Sequence, residues 1–248
     1  MSACTRPAKL RRPLDMRLQA FLARAGASPS RRKAEALISA GRVSVNGEAA
    51  TLGTTVSPND TVLLDGRPVT LPAQLAYLAL NKPAGYLTTL RDEPGRDRPT
   101  IEDLMPPIPG LVPVGRLDAA TTGLLLLTND GTLAHRIAHP SSEIEKEYEV
   151  TVRNPARPEA LAALAAGPTL EDGKMLPPKL EEIQDIGRTT TFRLIIHEGR
   201  NRIIRRACAA VGLDLVHLKR ARVGPVVLGD LPKGHHRDLT EDELAVLR

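Results

Sequence analysis

Aromatic side chains are scarce: 248 residues hold Phe21, Tyr77, Tyr86, Tyr148 and Phe192, and no tryptophan. So few rings argue against an RNA-binding sheet that stacks several bases on aromatic side chains. The two cysteines, Cys4 and Cys208, lie far apart, which excludes a disulfide framework and a cysteine-based zinc site. Apolar runs such as Leu124 to Leu127 are far too short to span a bilayer. The basic N-terminus is not followed by the apolar segment of a signal peptide. There is no P-loop, no GxGxxG fingerprint and no GxSxG elbow. His135 and His139 have the i, i+4 spacing of metal ligands but lack the HExxH order, and read as surface or RNA-contact side chains. His235-His236 lacks partner ligands. The expectation is a soluble cytoplasmic protein with no membrane partner.

Hydrophobic residues make up 42% of the chain, enough for a packed core. The formal net charge of +5 is unevenly spread. Residues 1–72 hold 11 Lys/Arg against 5 Asp/Glu, whereas the remainder holds 23 against 24. That pattern predicts a polyanion-binding module joined to a nearly neutral body.

Residues 1–14 carry two prolines and no periodicity, and read as a disordered basic tail. Leu18, Phe21, Leu22 and Ala25 then recur at helical spacing, with Gly26 placed to end the helix. Ser28 or Ser30 caps a second helix with Ala34, Leu37 and Ile38 on its apolar face, stopped by Gly41. Asn46-Gly47 and Asp65-Gly66 mark tight turns between short strands. A module of two helices and a β-meander over 15–72 follows, with Pro72-Ala73 opening a linker. The second helix begins Arg31-Arg32-Lys33, three cations at the positive end of the helix dipole. Each costs about 0.3–1 kcal/mol at an exposed site. A phosphate would relieve the conflict; screening by solvent is the alternative. The charge asymmetry favours the phosphate.

The body, 76–248, reads as α+β with a mixed or antiparallel sheet. Strands are expected at Tyr77–Leu80, Val112–Leu117, Leu124–Thr128, Glu147–Val152, Thr189–Ile196, Leu215–Leu218 and Val226–Leu228. Thr132 is expected to cap a helix through Ala138, and further helices fall at 158–166 and 201–211. Asp118 follows an apolar strand and precedes small residues. On residue chemistry it reads first as a turn opener bonding a backbone N–H. The alternative is a carboxylate exposed at the sheet edge, with Arg116 leaving the same face. Arg200, Arg202, Arg205 and Arg206 form a second basic cluster with no acid among them. On a helix, Arg202 shares a face with Arg205 or Arg206. Lys146 and Tyr148 lie on one side of a strand, Tyr148 able to sit in the core with its hydroxyl at the surface.

At these residues the chain resembles bacterial ribosomal-RNA pseudouridine synthases, in the branch holding the small-subunit enzyme and its large-subunit relatives. GRLD at 115–118, continuing TTGLLLLTNDG, is close to that branch's active-site signature. KPAG at 82–85, KEY at 146–148 and HEGRNRIIRR at 197–206 match its other motifs in order. Residues 17–66 resemble the S4 RNA-binding module that precedes such enzymes. The match covers nearly everything after residue 14. It departs at Ala119-Ala120 and Ala207-Cys208, which should alter packing or substrate choice.

The resemblance implies that Asp118 is the catalytic group. It attacks the sugar carbon or removes the neighbouring ribose proton once the uridine has flipped out of its stack. It implies that Arg205 pairs with Asp118 and aims it, and that Tyr148 stacks on the uracil. Arg116 would contact the substrate backbone or fill the space left by the base, and Lys146 would belong to the same pocket. Arg17, Arg31, Arg32, Lys33, Arg42, Arg200 and Arg202 are the RNA-binding candidates. An isomerisation of this kind needs no cofactor. The expected partner is ribosomal RNA or an assembly intermediate, met by a monomer. Large-subunit RNA is the expected target, with the small-subunit enzyme as the alternative. A non-catalytic assembly factor is the rival from another class.

Overall fold

The computed structural model describes residues 15–139 and 142–248. The expected basic tail of 1–14, with Cys4, lies outside the described residues. The chain divides into two compact units, Met1–Gln74 and Leu75–Arg248.

In the first unit, α1 (Leu18–Arg24) and α2 (Arg31–Ser39) pack on a sheet of β1 (Val43–Val45), β2 (Glu48–Ala49), β3 (Val62–Leu64) and β4 (Arg67–Val69), in the order β2-β1-β3-β4. Met16–Arg17 pairs separately with Thr55–Val56. Leu18, Leu22, Ala34, Ile38, Val43, Val56 and Val62 form the core, so the helical spacing does mark the buried faces. Both two-residue turns take left-handed backbone throughout, φ 52° and 87° at Asn46-Gly47 and 51° and 76° at Asp65-Gly66. That is the geometry a right-twisted hairpin selects. Ser30, not Ser28, caps α2, its hydroxyl accepting from the Lys33 N–H at 3.2 Å.

The second unit is built on one nine-stranded sheet. Its strands are β5 (Tyr77–Lys82), β6 (Val112–Pro113), β7 (Thr122–Thr128), β8 (Lys146–Arg153), β9 (Lys179–Ile186), β10 (Thr189–Ile196), β11 (Asp214–Val223), β12 (Val226–Val227) and β13 (His236–Asp238). The order is β9-β10-β8-β11-β7-β5-β13, with β6 beside β7 and β12 beside β11. Within this sheet only β7 and β11 run parallel, through Thr122 with Lys219 and Gly123 with Arg220. The run Leu124–Leu127 is buried on both faces. Leu125 and Leu127 join one core with Leu78, Leu80, Val150 and Phe192. Leu124 and Leu126 join the other with Tyr77, Ala79, Leu133 and Ile137. The helices are α3 (Gly131–Ala138), α4 (Pro158–Ala165), α5 (Ile203–Ala210) and α6 (Glu241–Leu247). No helix among the described residues is long and apolar enough to cross a membrane.

Three expectations need correction. The strand expected over Val112–Leu117 stops at Pro113, because Gly115 turns the chain with φ 72°. Asp118 and Arg116 therefore sit on a loop, not on a regular strand. Helix α3 is capped by Asp130, whose carboxylate accepts from the N–H groups of Thr132 and Leu133, and not by Thr132. The strand expected over Leu215–Leu218 runs from Asp214 to Val223.

Candidate active site

The loop carrying Asp118 is fastened residue by residue. Leu117 exchanges two hydrogen bonds with Thr88: its N–H donates to Oγ1 at 3.2 Å and its carbonyl accepts from the hydroxyl at 2.7 Å. The Gly85 N–H donates to Ala119 O at 2.8 Å, and the Thr121 N–H to Asp118 O at 3.0 Å. Beneath the loop lies Lys82, with no solvent exposure at all. Its ammonium donates to Pro83 O at 3.0 Å, Ala119 O at 3.2 Å and Thr121 O at 2.9 Å. Those three bonds use every proton the ammonium has. Burial pushes Lys82 down to about 8, while the nearby Asp118 charge acts in the opposite direction. Lys82 was not among the residues expected at the site. The signal was present, a lysine opening the KPAG motif at the end of the fully buried strand YLALNK.

With the backbone so held, the Asp118 carboxylate is not consumed by a turn. Oδ2 accepts from Arg202 Nη1 at 3.3 Å and lies 3.3 Å from Arg205 Nε. The Arg205 Nε–H is out of line for a hydrogen bond and has no other acceptor, so this contact is a close ion pair. Arg205 Nη2 donates to Thr121 Oγ1 at 3.1 Å, which locks the guanidinium beside the carboxylate. Among the described residues, none donates to Oδ1. Arg202 reaches Asp118 from the start of α5, where its backbone adopts φ 48°. Such a conformation costs roughly 1–3 kcal/mol outside glycine and persists where the surrounding contacts hold it.

Asp118 opens onto a cleft of ≈ 140 Å³ lined also by Arg116, Lys146, Tyr148, Arg205 and Arg220. Tyr148 is 8% exposed and belongs to the core on one side. Lys146 donates to Ile144 O at 3.0 Å, and burial lowers its ammonium pKa, helped by repulsion from Arg220. Arg116 is exposed at the rim.

A profile of the RNA pseudouridylate synthase family matches residues 76–210, and one of the S4 domain matches residues 16–62. A protein of Aquifex aeolicus named as an RNA pseudouridine synthase is 44% identical over 237 residues, covering 94% of each chain. The chain belongs to the RNA pseudouridine synthases. The ribosomal large subunit pseudouridine synthase B of Pseudomonas aeruginosa is 41% identical across 95% of this chain and 62% of its own length. A crystal structure of a pseudouridylate synthase superposes with a TM-score of 0.66 at 35% identity, covering 94% of this chain and all of that one. Synthases of this family convert uridine to pseudouridine.

The structure divides the synthase's four clustered arginines among three carboxylates. Arg202 and Arg205 go to Asp118. Arg206 forms a two-pronged pair with Asp172, at 2.8 and 2.9 Å, which holds the Asp172 carboxyl below its usual range. Arg200 bonds Glu198 at 2.8 Å and Asp172 at 2.9 Å, with carbonyls of residues 172–174 taking further protons. Arg200 was expected to contact RNA; its donors are instead committed within the fold. Asp172 sits on the hairpin joining Thr169–Leu170 to Gly173–Lys174, some thirty positions earlier in sequence, and nothing local announced it.

In the first unit, Arg31, Arg32 and Lys33 are all exposed at the start of α2, as an anion-binding cluster requires. Arg42 pairs through two bonds with Asp65, and Arg17 Nη1 donates to Gly53 O at 2.6 Å. Those two side chains brace the sheet and its loop, which leaves the α2 cluster as the stronger candidate. His135 of α3 and His139 just after it are exposed, their ring centroids 5.0 Å apart and the planes tilted by 36°.

Proposed function

We propose that this synthase isomerises one uridine of large-subunit ribosomal RNA in the cytoplasm, with Asp118 acting at the ribose. The observation that carries the reading is an anchored carboxylate, one oxygen unengaged, in a cleft that also holds Arg116, Lys146, Arg205, Arg220 and the ring of Tyr148 over an apolar floor, its other carboxylate, Glu198, being paired with Arg200. The cations suit a polyanionic substrate. The carboxylate would only weaken binding of such a substrate, so its presence points to chemistry and away from a pure assembly factor. Arg205 aims the carboxylate, Tyr148 stacks on the flipped uracil, Lys146 lies in the same pocket, and Arg116 contacts the RNA backbone at the rim. The large-subunit choice is supported by relatives named for that subunit, in Pseudomonas aeruginosa and Xylella fastidiosa. Comparing pseudouridine positions in both ribosomal RNAs from cells with and without the gene tests it. One position should vanish from the large subunit; a loss confined to the small subunit would reverse the assignment.

The S4 domain supplies affinity through phosphates at the start of α2. The triple change of Arg31, Arg32 and Lys33 to Ala should weaken RNA binding and flatten its salt dependence. The slope should fall by about 0.7–0.9 for each phosphate that the variant no longer neutralises. Binding titrations at several salt concentrations measure this; an unchanged slope would remove the cluster from the interface.

A further inference from the structure

Arg220 is 5% exposed, on β11, and lines the same cleft as Asp118. Its Nε donates to Leu124 O at 2.7 Å. Among the described residues, no group accepts from its two Nη atoms and no carboxylate pairs with it. Tyr148 sits directly across from it on β8, and Lys146 lies two positions before Tyr148. The acids nearby are otherwise engaged. Glu147 holds Arg222 and Arg193, Glu149 holds Lys219, and Glu198 holds Arg200. A guanidinium withdrawn from water without an anion is costly, and here a second, half-buried cation, Lys146, stands near enough to feel it. Two such cations beside an aromatic ring fit an anion that is planar and arrives with the substrate.

The reaction generates one. When the C1′–N1 bond of uridine breaks, its electron pair leaves on the uracil ring. The charge spreads over N1 and the two carbonyl oxygens. Asp118 meets the demand at the ribose, with its own electron pair at C1′ or by removing the neighbouring proton. Afterwards C5 bonds to C1′, displacing the Asp118 carboxylate with its electron pair if it had bonded there, or with the ribose proton returning if it had been removed; C5 then loses its proton, N1 gains one, and the ring is neutral again. The ring is therefore anionic only while detached.

We infer that Arg220, with Lys146 beside it, hydrogen-bonds the carbonyl oxygens of the flipped uracil and stabilises the ring while it is detached from the sugar. Both side chains can only donate. They donate to the 4-carbonyl of uracil and oppose the 4-amino group of cytosine, itself a donor, so the same pair selects the base. Interactions stronger with the detached ring than with bound uridine accelerate the step; equal interactions would not.

The inference rests on the isomerisation proposed for Asp118, and its test separates the two. Single-turnover loss of the parent nucleoside is followed for wild type, Arg220→Met and Lys146→Met, on RNA carrying uridine or 5-fluorouridine at the target. Fluorine withdraws electrons and stabilises the ring anion without help from the protein. Arg220→Met should lose about 10²–10³-fold on uridine. On 5-fluorouridine it should lose roughly tenfold less, with RNA affinity unchanged. Lys146→Met should show the same ratio in weaker form, and carries the test if Arg220→Met does not fold. Equal losses on both substrates, or a loss of RNA affinity in place of rate, would overturn the assignment. A wild-type protein inactive on uridine would instead overturn the reading on which it rests.

Discussion

Asp118→Asn should abolish pseudouridine formation, lowering single-turnover rate by at least about 10³-fold, the scale seen when a reacting group is removed. RNA affinity should remain. Asparagine keeps the size of the side chain, and its oxygen still accepts from Arg202. The loop keeps its shape because Thr88, Gly85 and Lys82 hold it through backbone groups of Leu117, Ala119 and Thr121. Removing a negative charge from a cleft rich in Lys and Arg does not weaken a polyanion's hold on it. Rate and affinity measured on the same RNA separate the two effects. Turnover within tenfold of wild type would take Asp118 out of the mechanism.

Gly123→Ala should be the most damaging single methyl addition in the sheet. Gly123 has φ +98°, a conformation L side chains rarely adopt, and an added Cβ would meet Arg220 O at 2.3 Å and Arg220 N at 2.8 Å. Both are backbone atoms of β11, so no rotamer change relieves the clash. Strain and overpacking together cost about 3–5 kcal/mol. Gly85→Ala is the control: φ is +90° but nothing lies within 4 Å, so only the conformational cost remains. Urea unfolding of both variants measures the difference. A Gly123→Ala protein no less stable than Gly85→Ala would contradict the tight approach of β7 and β11. That approach sets Arg220 against the carbonyl of Leu124, so the glycine also serves the cleft.

The strongest local signals in the sequence proved sound. Helical spacing located α1 and α2, Asn-Gly and Asp-Gly located the two hairpins, and the unbroken Leu124–Leu127 run located a strand buried on both faces. The edge strand β9 was missed because its residues, KLEEIQDI, are mostly exposed and charged. It pairs on one side only, so no apolar alternation betrays it. Helix α6 has a local signal of its own: Thr240 and Glu243 form a capping box, and that spacing is visible in the chain. At the site, the ordered motifs picked out Asp118, Tyr148 and Arg205. Beyond the pairing of Arg205 with Asp118, they did not show who holds whom. Lys82 supports the Asp118 loop from 37 and 39 positions away, and Asp172 takes Arg206 from 34 away. Partners brought together by the sheet leave no trace in local spacing.

Whether Asp118 drives the isomerisation of a uridine in ribosomal RNA can be read in one assay. Unmodified ribosomal RNA is treated with wild-type protein or with Asp118→Asn, and its pseudouridines are then mapped. One new pseudouridine is expected on the large-subunit RNA, made by wild type and absent with the variant. Equal modification by both proteins, or none by a wild-type protein that binds the RNA, would contradict that role.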